Sequence, residues 1–244
     1  MTQENQGGQG SLEDFESRLE GGFEWLEKNR RTVGFGAIAL LVTAGLIAAG
    51  VEWSKRQEAA GQMALGEVDQ RYLDAMGATP GEIEAPEPAN AKQAEDAREA
   101  ALAGYSEIAT EHSSRTAGEL ASLRAAEVEI ALERHAAAAE RLTALVDAVG
   151  ASSILGATAN RLLGFAYEEL KQPADAAKAY EAAASAAAYP ARETAWLAAA
   201  ETYLRAGDNA AAARAFRELK AVDEVYATTL GVDSRLEALG VEAD

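Results

Sequence analysis

The side chains in this sequence that are best suited to chemistry are adjacent carboxylates and two histidines. Glu168-Glu169 and Asp223-Glu224 are examples of the carboxylate pairs. Because successive positions of a helix point about 100° apart, the two members of such a pair do not converge for acid–base work. His112 and His135 lie on different predicted segments, and neither has a metal-ligating partner three or four residues away.

Other signatures of catalysis are absent. The chain contains no cysteine, which excludes disulfides, thiolate nucleophiles and cysteine-ligated zinc. It also contains no GxGxxG, phosphate-binding loop, HExxH, GxSxG or EF-hand motif. We therefore expect a protein that is not an enzyme and that has no catalytic residue, no metal site and no cofactor.

Composition indicates a helical, acidic protein. The 244 residues are rich in alanine, glutamate, leucine and arginine. Such residues lose little on entering a helix, so the sequence predicts an all-α fold. The net charge is −18, and no stripe of lysine and arginine is present. Nucleic-acid binding requires cations that displace phosphate counterions, so we exclude nucleic acid as a partner.

Residues 33–51 (VGFGAIALLVTAGLIAAGV) form an apolar stretch without a charge. At ~1.5 Å per residue, a helix of this length covers roughly 28 Å, close to the ~30 Å hydrocarbon core of a membrane. A buried core helix and a signal peptide cleaved near 48–50 fit less well. A core helix is rarely uncharged for so long, and the region before the stretch is long and acidic. We expect one transmembrane helix over 32–53.

The residues that flank this segment suggest its orientation. Four cations precede it and two follow it, namely Arg18, Lys28, Arg30 and Arg31 before and Lys55 and Arg56 after. Trp25 and Trp53 lie where interfacial indoles are found. Because cations are retained on the cytoplasmic side, we expect a cytoplasmic N-terminus and a C-terminal part on the far side.

Residues 1–31 form the predicted cytoplasmic tail. The first ten are polar and glycine-rich, and from Ser11 apolar residues recur at three- and four-residue steps. This pattern predicts a short amphipathic helix. Its opposite face is acidic, and anionic lipid would repel it. The pattern leaves open whether the helix docks a partner or forms a passive stalk.

The segment beyond the predicted span contains an internal repeat. A single shift of 36 residues aligns Tyr167 with Tyr203, Ala176 with Ala212, Tyr180 with Phe216 and Ala183 with Leu219. A period in this range marks stacked helical pairs. The turns at 171–173 (KQP) and 206–208 (AGD) separate the two helices of each pair, since Pro173 suits a helix start and Gly207 a helix end.

These residues resemble the tetratricopeptide repeat, whose pattern asks for a large residue, Leu-Gly, Tyr, a turn glycine, Ala, an aromatic residue, Ala and a closing proline. The first repeat supplies Leu163, Gly164, Tyr167, Ala176, Tyr180, Ala183 and, two residues late, Pro190. The second supplies Trp196, Ala200, Tyr203, Gly207, Ala212 and Phe216 but lacks Leu-Gly and the closing proline. The resemblance implies an α-solenoid of antiparallel helix pairs. The alternative is a generic alanine-rich bundle.

Two degenerate repeats precede these. In the nearer one, Leu123 and Ile130 match the first helix and Ala138, Leu142 and Leu145 the second, if the turn is one residue shorter. In the earlier one, 57–76 supply the first helix and Ala101, Tyr105 and Ile108 lie on the second, with a proline-rich loop inserted at 77–92. We expect membrane-proximal helices over 54–116 and a tetratricopeptide-like repeat domain over 117–244, capped by a helix at 232–240.

The arrangement as a whole also resembles a known family. An acidic tail with WLEKNRR (25–31), one span ending in Trp53 and divergent repeats are similar to the single-span tetratricopeptide family of bacterial inner membranes. That family includes the ancillary subunit of the Sec translocon. The resemblance implies an inner-membrane protein with a periplasmic repeat domain. It also implies an adaptor that recruits chaperones or substrates to secretion machinery, with translocon subunits, periplasmic chaperones or other envelope proteins as partners.

The alternative is a structural or self-associating subunit of another envelope complex. The small residues Ala44/Ala48 and Gly45/Ala49 have the spacing that helix pairing uses in a membrane.

In tetratricopeptide repeats the first helix of each pair lines a groove. By resemblance, the groove residues of this chain are Arg124, Thr158, Arg161, Phe165, Glu168, Thr194, Leu197, Glu201 and Arg205. Such a mixed polar and apolar set suits an extended peptide or a partner helix. The family's carboxylate-binding subgroup uses lysine and asparagine at fixed groove positions. Arg161 stands at one of them and the others are missing. For each residue, the alternative is an ordinary solvated helix face.

Overall fold

The computed structural model describes residues 28, 30–79, 81 and 85–240, with the backbone alone at 30–42 and 44. Within these residues the chain forms ten helices and no strand, so the all-α prediction is confirmed. The chain divides into two units, Met1–Arg56 and Gln57–Asp244.

The helices follow one another with short connections. They are α1 (Arg30–Met76), α2 (Ala91–Glu111), α3 (Thr116–Ala131), α4 (His135–Val149), α5 (Ile154–Glu169), α6 (Pro173–Ser185), α7 (Arg192–Ala206), α8 (Asn209–Val222), α9 (Glu224–Thr229) and α10 (Val232–Ala238). The described residues between α1 and α2 form no helix, and they lie in the predicted proline-rich loop.

The predicted membrane span falls on α1. Its side chains at 32–42 and 44 lie outside the described residues, and so does the predicted amphipathic helix before residue 28. Four large apolar side chains of the remaining part are exposed, namely Leu46, Ile47, Val51 and Trp53. Among the residues that the structure describes, none of the helices combines the length and the apolar character needed to cross a membrane.

Side-chain caps and a proline fix where several helices begin. Asn90, Ser153, Asp208 and Asp223 each accept a hydrogen bond from a backbone N–H in the first turn of α2, α5, α8 and α9. Such a bond satisfies one of the N–H groups that a helix start leaves without a partner. Pro173 is the first residue of α6, as its position in the sequence predicts.

Three helix pairs turn in the same way. A residue just beyond the first helix is left-handed in each, with φ of 59° at Glu133, 60° at Lys171 and 79° at Gly207. Its N–H donates to the carbonyl three residues earlier, and the next N–H donates to the carbonyl five residues earlier, at 2.8–3.0 Å. This is the Schellman ending of a helix. It brings the second helix back antiparallel to the first.

The shared turn corrects the predicted register of the α3–α4 repeat. Measured back from the left-handed residue, Glu129 takes the position of Tyr167 and Tyr203. The prediction of a shorter turn with Ile130 in that position is therefore wrong. Glu129 is buried whereas Ile130 is only half-buried. The repeat pattern predicts a large apolar residue at this position, and the residue found there is a buried carboxylate.

Successive helices of the second unit pack in chain order from α2 to α10, and α10 also contacts α8. Val68 of α1 and Tyr105 of α2 belong to one apolar cluster, so α1 and α2 pack as a pair too. Gly104 permits this approach, because a Cβ there would lie 2.9 Å from a methyl group of Val68. Four helix pairs followed by α9 and α10 are consistent with the predicted tetratricopeptide-like solenoid.

Small residues lie opposite large ones inside the repeats. A Cβ added to Gly164 of α5 would lie 2.7 Å from the ring of Tyr180 on α6. Ala176 and Ala212, which the repeat pattern aligns, are both fully buried at the starts of α6 and α8. Small side chains therefore let the two helices of a pair approach, and aromatic rings fill the space beside them.

Candidate interaction groove

Glu168, one of the nine predicted groove residues, joins three helices. Its Oε2 accepts a hydrogen bond from the Tyr180 hydroxyl of α6 at 2.8 Å, and its Oε1 accepts one from Thr202 of α7 at 3.0 Å. Arg205 of α7, also a predicted groove residue, forms an ion pair with the same carboxylate and donates to the Thr202 hydroxyl at 2.6 Å. Glu168 and Arg205 therefore hold successive repeats together.

Tyr180 remains the proton donor in this network. Burial raises the pKa of its hydroxyl to about 12; Glu169 adds to the increase and Arg161 opposes it. The hydrogen bond to Glu168 therefore persists through the neutral range.

A second pair across repeats involves the predicted residue Glu201 of α7. Its Oε1 lies 3.0 Å from Nη1 of Arg235 on α10. The guanidinium of Arg235 also lies over the ring of Phe216, 5.6 Å from the centroid. As in the Glu168–Arg205 pair, a carboxylate on a first helix meets an arginine of the next structural unit. Three of the five charged residues in the predicted groove set, Glu168, Glu201 and Arg205, are thus engaged in holding the stack.

The central part of α5 carries two predicted groove residues that take no part in the ion pairs between repeats. Arg161 is exposed and forms no ion pair with any described residue. Phe165, one turn later, is 39% exposed, and its ring meets that of His135 on α4 edge-on, with centroids 6.3 Å apart. A cation and an aromatic ring therefore lie next to each other on one face without serving an interhelical ion pair.

The remaining predicted residues of α5 and α7 are less distinctive. The hydroxyls of Thr158 and Thr194 donate to backbone carbonyls three or four residues earlier, at 2.9 and 3.0 Å. Leu197 is half-buried and packs against the apolar cluster of the last repeats. Neither threonine has a free hydroxyl proton to offer a ligand in this arrangement.

Arg124 of α3 belongs to a separate cleft between α1, α2 and α3. We call this space, of about 570 Å³, the proximal cleft; its lining includes Asp69, Tyr72, Leu73, Tyr105, Arg124 and Glu127. Arg124 pairs with Glu127 at 2.9 Å. The nine predicted residues are therefore divided, with Arg124 in this cleft and Glu168 and Arg205 lining another of about 460 Å³.

Sequence reasoning missed several polar residues of these clefts. Asp69 and Glu127 carry no motif, and Tyr105 was assigned to the apolar spacing of a second helix. The hydrogen bond from Tyr105 to Asp69 joins the two helices of one pair across the inserted loop, and no repeat spacing in the sequence indicates it. Thr202 was missed because nothing in the sequence distinguishes a buried threonine from a solvated one.

Among the described residues, no three histidine, aspartate or glutamate side chains cluster closely enough to hold a metal ion.

Comparison with solved structures shows a likeness to an all-helical protein. No protein-family model matches the chain, and no curated protein matches it. The crystal structure of MamA protein superposes with a TM-score of 0.47 at 16% sequence identity, over 72% of this chain and 85% of MamA.

Proposed function

We propose that this protein is an adaptor whose helical repeats hold a segment of a partner protein against the first helices of the pairs. The observation that carries the proposal is the exposed Phe165 beside Arg161 on α5. Both belong to the predicted groove set, and Arg161 forms no ion pair with any described residue. An aromatic anchor beside a cation suits an extended peptide or a partner helix.

The proposed adaptor is anchored in a bacterial inner membrane, with its N-terminus in the cytoplasm and its repeats in the periplasm. The support is the uncharged stretch at 33–51, the cations that precede it and the exposed apolar side chains at Leu46, Ile47 and Val51. An anchor of this kind raises the local concentration of a weak binder, so the contacts in the groove need only be modest.

In the first version of the proposal, the repeats recruit periplasmic chaperones or substrates to the secretion translocon. The support is the resemblance to the single-span tetratricopeptide family. We propose an adaptor that is not an enzyme and requires no cofactor. Its acidic charge argues against binding of nucleic acid. Purification of complexes from detergent-solubilised membranes tests this version. Recovery of neither translocon subunits nor periplasmic chaperones would contradict it.

The second version is a self-associating subunit of another envelope complex. The small residues at 44, 45, 48 and 49 support it, because a helix pair in a membrane packs through such residues. A monomeric mass in detergent would contradict this version and leave the groove proposal standing.

Site-specific photo-crosslinking tests the groove itself. A photoreactive amino acid at 161 or 165 should crosslink to the same partner in intact cells. The same amino acid at Lys178, an exposed position on α6, serves as the matched control. Equal crosslinking from all three positions would show that the α5 face is not the docking surface. Protease accessibility of the repeats in right-side-out vesicles tests their side of the membrane.

A further inference from the structure

The proximal cleft between α1, α2 and α3 has one buried hydrogen bond that fixes its acidic side. Tyr105 is only 2% exposed, and its hydroxyl donates to Oδ1 of Asp69 at 2.6 Å. Burial, followed by the hydrogen bond to Asp69, raises the pKa of Tyr105, so the tyrosine stays a donor. The other oxygen, Oδ2 of Asp69, accepts no hydrogen bond from any described residue. The carboxylate is therefore fixed at one oxygen, and it also interacts electrostatically with the Arg124 guanidinium in the cleft.

The cation in the cleft is already engaged. Nη1 of Arg124 lies 2.9 Å from Oε2 of Glu127, one turn later on α3. The carboxylates of Asp69 and Glu127 outnumber the guanidinium of Arg124, so the lining of the cleft has a net negative charge. An anionic ligand would have to separate the Arg124–Glu127 pair and approach Asp69, so a carboxylate or phosphate does not fit.

The walls of the cleft are partly apolar. Tyr72 and Leu73 of α1 are half-buried, and Val128 of α3 lies beside them in the lining. A purely apolar ligand would cover Asp69 and Glu127 without pairing them, which is unfavourable for charged groups. A side chain with an aliphatic stem and a cationic end satisfies both parts, because the stem packs on the walls and the end reaches the carboxylates.

The charge of the whole unit favours the same ligand. Residues 57–244 contain 16 lysines and arginines and 32 aspartates and glutamates, a net charge of −16. A field of this sign attracts positively charged partners. We propose that the proximal cleft binds a lysine or arginine side chain from an extended segment of a partner protein. This inference rests on the proposed adaptor function and adds the chemistry of one contact.

The test uses the full chain in mild non-ionic detergent and peptides selected from a random dodecapeptide display library. The tightest peptides are synthesised, and each lysine or arginine is replaced in turn by norleucine, which keeps the stem and removes the charge. At one position, we expect this replacement to weaken binding by at least tenfold. At about 0.15 M salt the ~8 Å Debye length screens the distant charges of the unit, so the loss reports a local contact.

The protein variant Asp69→Asn/Glu127→Gln should remove that tenfold difference. An asparagine at 69 still offers an oxygen to the Tyr105 hydroxyl, so the fold is retained, and circular dichroism checks it. The matched control is Glu140→Gln/Asp147→Asn, which removes two charges from exposed positions of α4. The control should keep the full difference between the cationic and norleucine peptides.

The outcomes separate this inference from the adaptor function. Peptides that bind the double variant as tightly as the unchanged protein, and that lose affinity on Phe165→Ala, would overturn the cleft inference while the groove function stands. Equal losses in the double variant and its α4 control would show general attraction to an acidic surface and would also overturn it. Failure to select any binding peptide would count against both.

Discussion

Glu129 of α3 and Arg141 of α4 form a forked ion pair in the interior of the repeats. Nε of Arg141 donates to Oε2 at 3.0 Å, and Nη2 donates to Oε1 at 2.7 Å. Glu129 is 5% exposed. Replacing Arg141 with methionine keeps an aliphatic stem and leaves a buried carboxylate without a counter-ion. We expect the free energy of unfolding, measured by urea denaturation, to fall by about 3 kcal/mol.

The double variant Glu129→Leu/Arg141→Met separates charge from packing. With both charges removed, no carboxylate is left unpaired, so stability should return to within about 1 kcal/mol of the unchanged protein. If the double variant is as unstable as Arg141→Met alone, lost packing rather than the unpaired carboxylate is responsible.

Lys171, two residues after the end of α5, has the left-handed conformation that Gly207 adopts directly after α7. Its φ is 60°, a region in which a residue with a Cβ is strained. Lys171 is exposed, and its side chain forms no hydrogen bond or ion pair with any described residue. We expect Lys171→Gly to raise the free energy of unfolding by about 1 kcal/mol and the melting temperature by roughly 2–4 °C. Lys171→Ala, which keeps the Cβ, should give no such gain, and a lower melting temperature for the glycine variant would contradict the argument.

These turns show which part of the fold can be read from the sequence. Pro173 and Gly207 mark helix ends because their backbones are restricted or permissive by themselves, and the structure places both where predicted. Glu133 and Lys171 adopt the same turn without any mark in the sequence, since the surrounding repeat imposes their conformation. The register error at Glu129 has the same origin. The turn length was inferred from a side-chain pattern, whereas the hydrogen bonds of the turn decide it.

The groove was less predictable than the fold for a different reason. The repeat period identifies which face of a first helix a residue occupies. It does not identify which charge of the next repeat will reach that face. Glu168 meets Arg205, 37 residues later, and Glu201 meets Arg235, 34 residues later. Long side chains bridge positions that no single repeat period relates. The sequence alone therefore does not show which charged residues hold the stack and which remain available to a partner.

Gly164 faces the ring of Tyr180 so closely that no side chain fits. A Cβ at this position would lie 2.7 Å from two ring carbons, and the hydroxyl bond to Glu168 restrains the ring. We expect Gly164→Ala to lower the free energy of unfolding by about 2 kcal/mol despite the better helix propensity of alanine, because overpacking of this kind costs roughly 1–3 kcal/mol. Thermal denaturation, monitored by circular dichroism, measures this loss of stability.

Gly66 of α1 provides the matched control for this substitution. It is exposed in a helix interior, and nothing lies within 4 Å of a Cβ placed there. Gly66→Ala should therefore stabilise the protein by about 1 kcal/mol through propensity alone. We expect the free energy of unfolding to fall with Gly164→Ala and to rise with Gly66→Ala. Stabilisation at both would mean that α5 and α6 can separate to admit the methyl group without penalty.

The hydroxyl of Tyr180 also makes stability depend on alkaline pH. Burial raises its pKa from 10.0 to about 12 in the folded chain. Below pH 10 the group is protonated in both the folded and the unfolded chain, so its contribution is complete. Between pH 10 and 12 the unfolded chain releases the proton first, and the free energy of unfolding falls by up to about 1.4 kcal/mol per pH unit.

Tyr180→Phe removes this titration together with the hydrogen bond to Glu168. At pH 9 the variant should be less stable than the unchanged protein, because the half-buried carboxylate loses a donor. The deficit should shrink as the pH rises from 10 towards 12, since phenylalanine has no proton to lose. Tyr105 and Tyr203 also have pKa values raised by burial, so the variant keeps some alkaline sensitivity. Urea denaturation at pH 9, 10 and 11, with tyrosinate absorbance recorded in parallel, measures both effects. A deficit that stays constant over this range would show that Tyr180 ionises equally easily in the folded and unfolded chains.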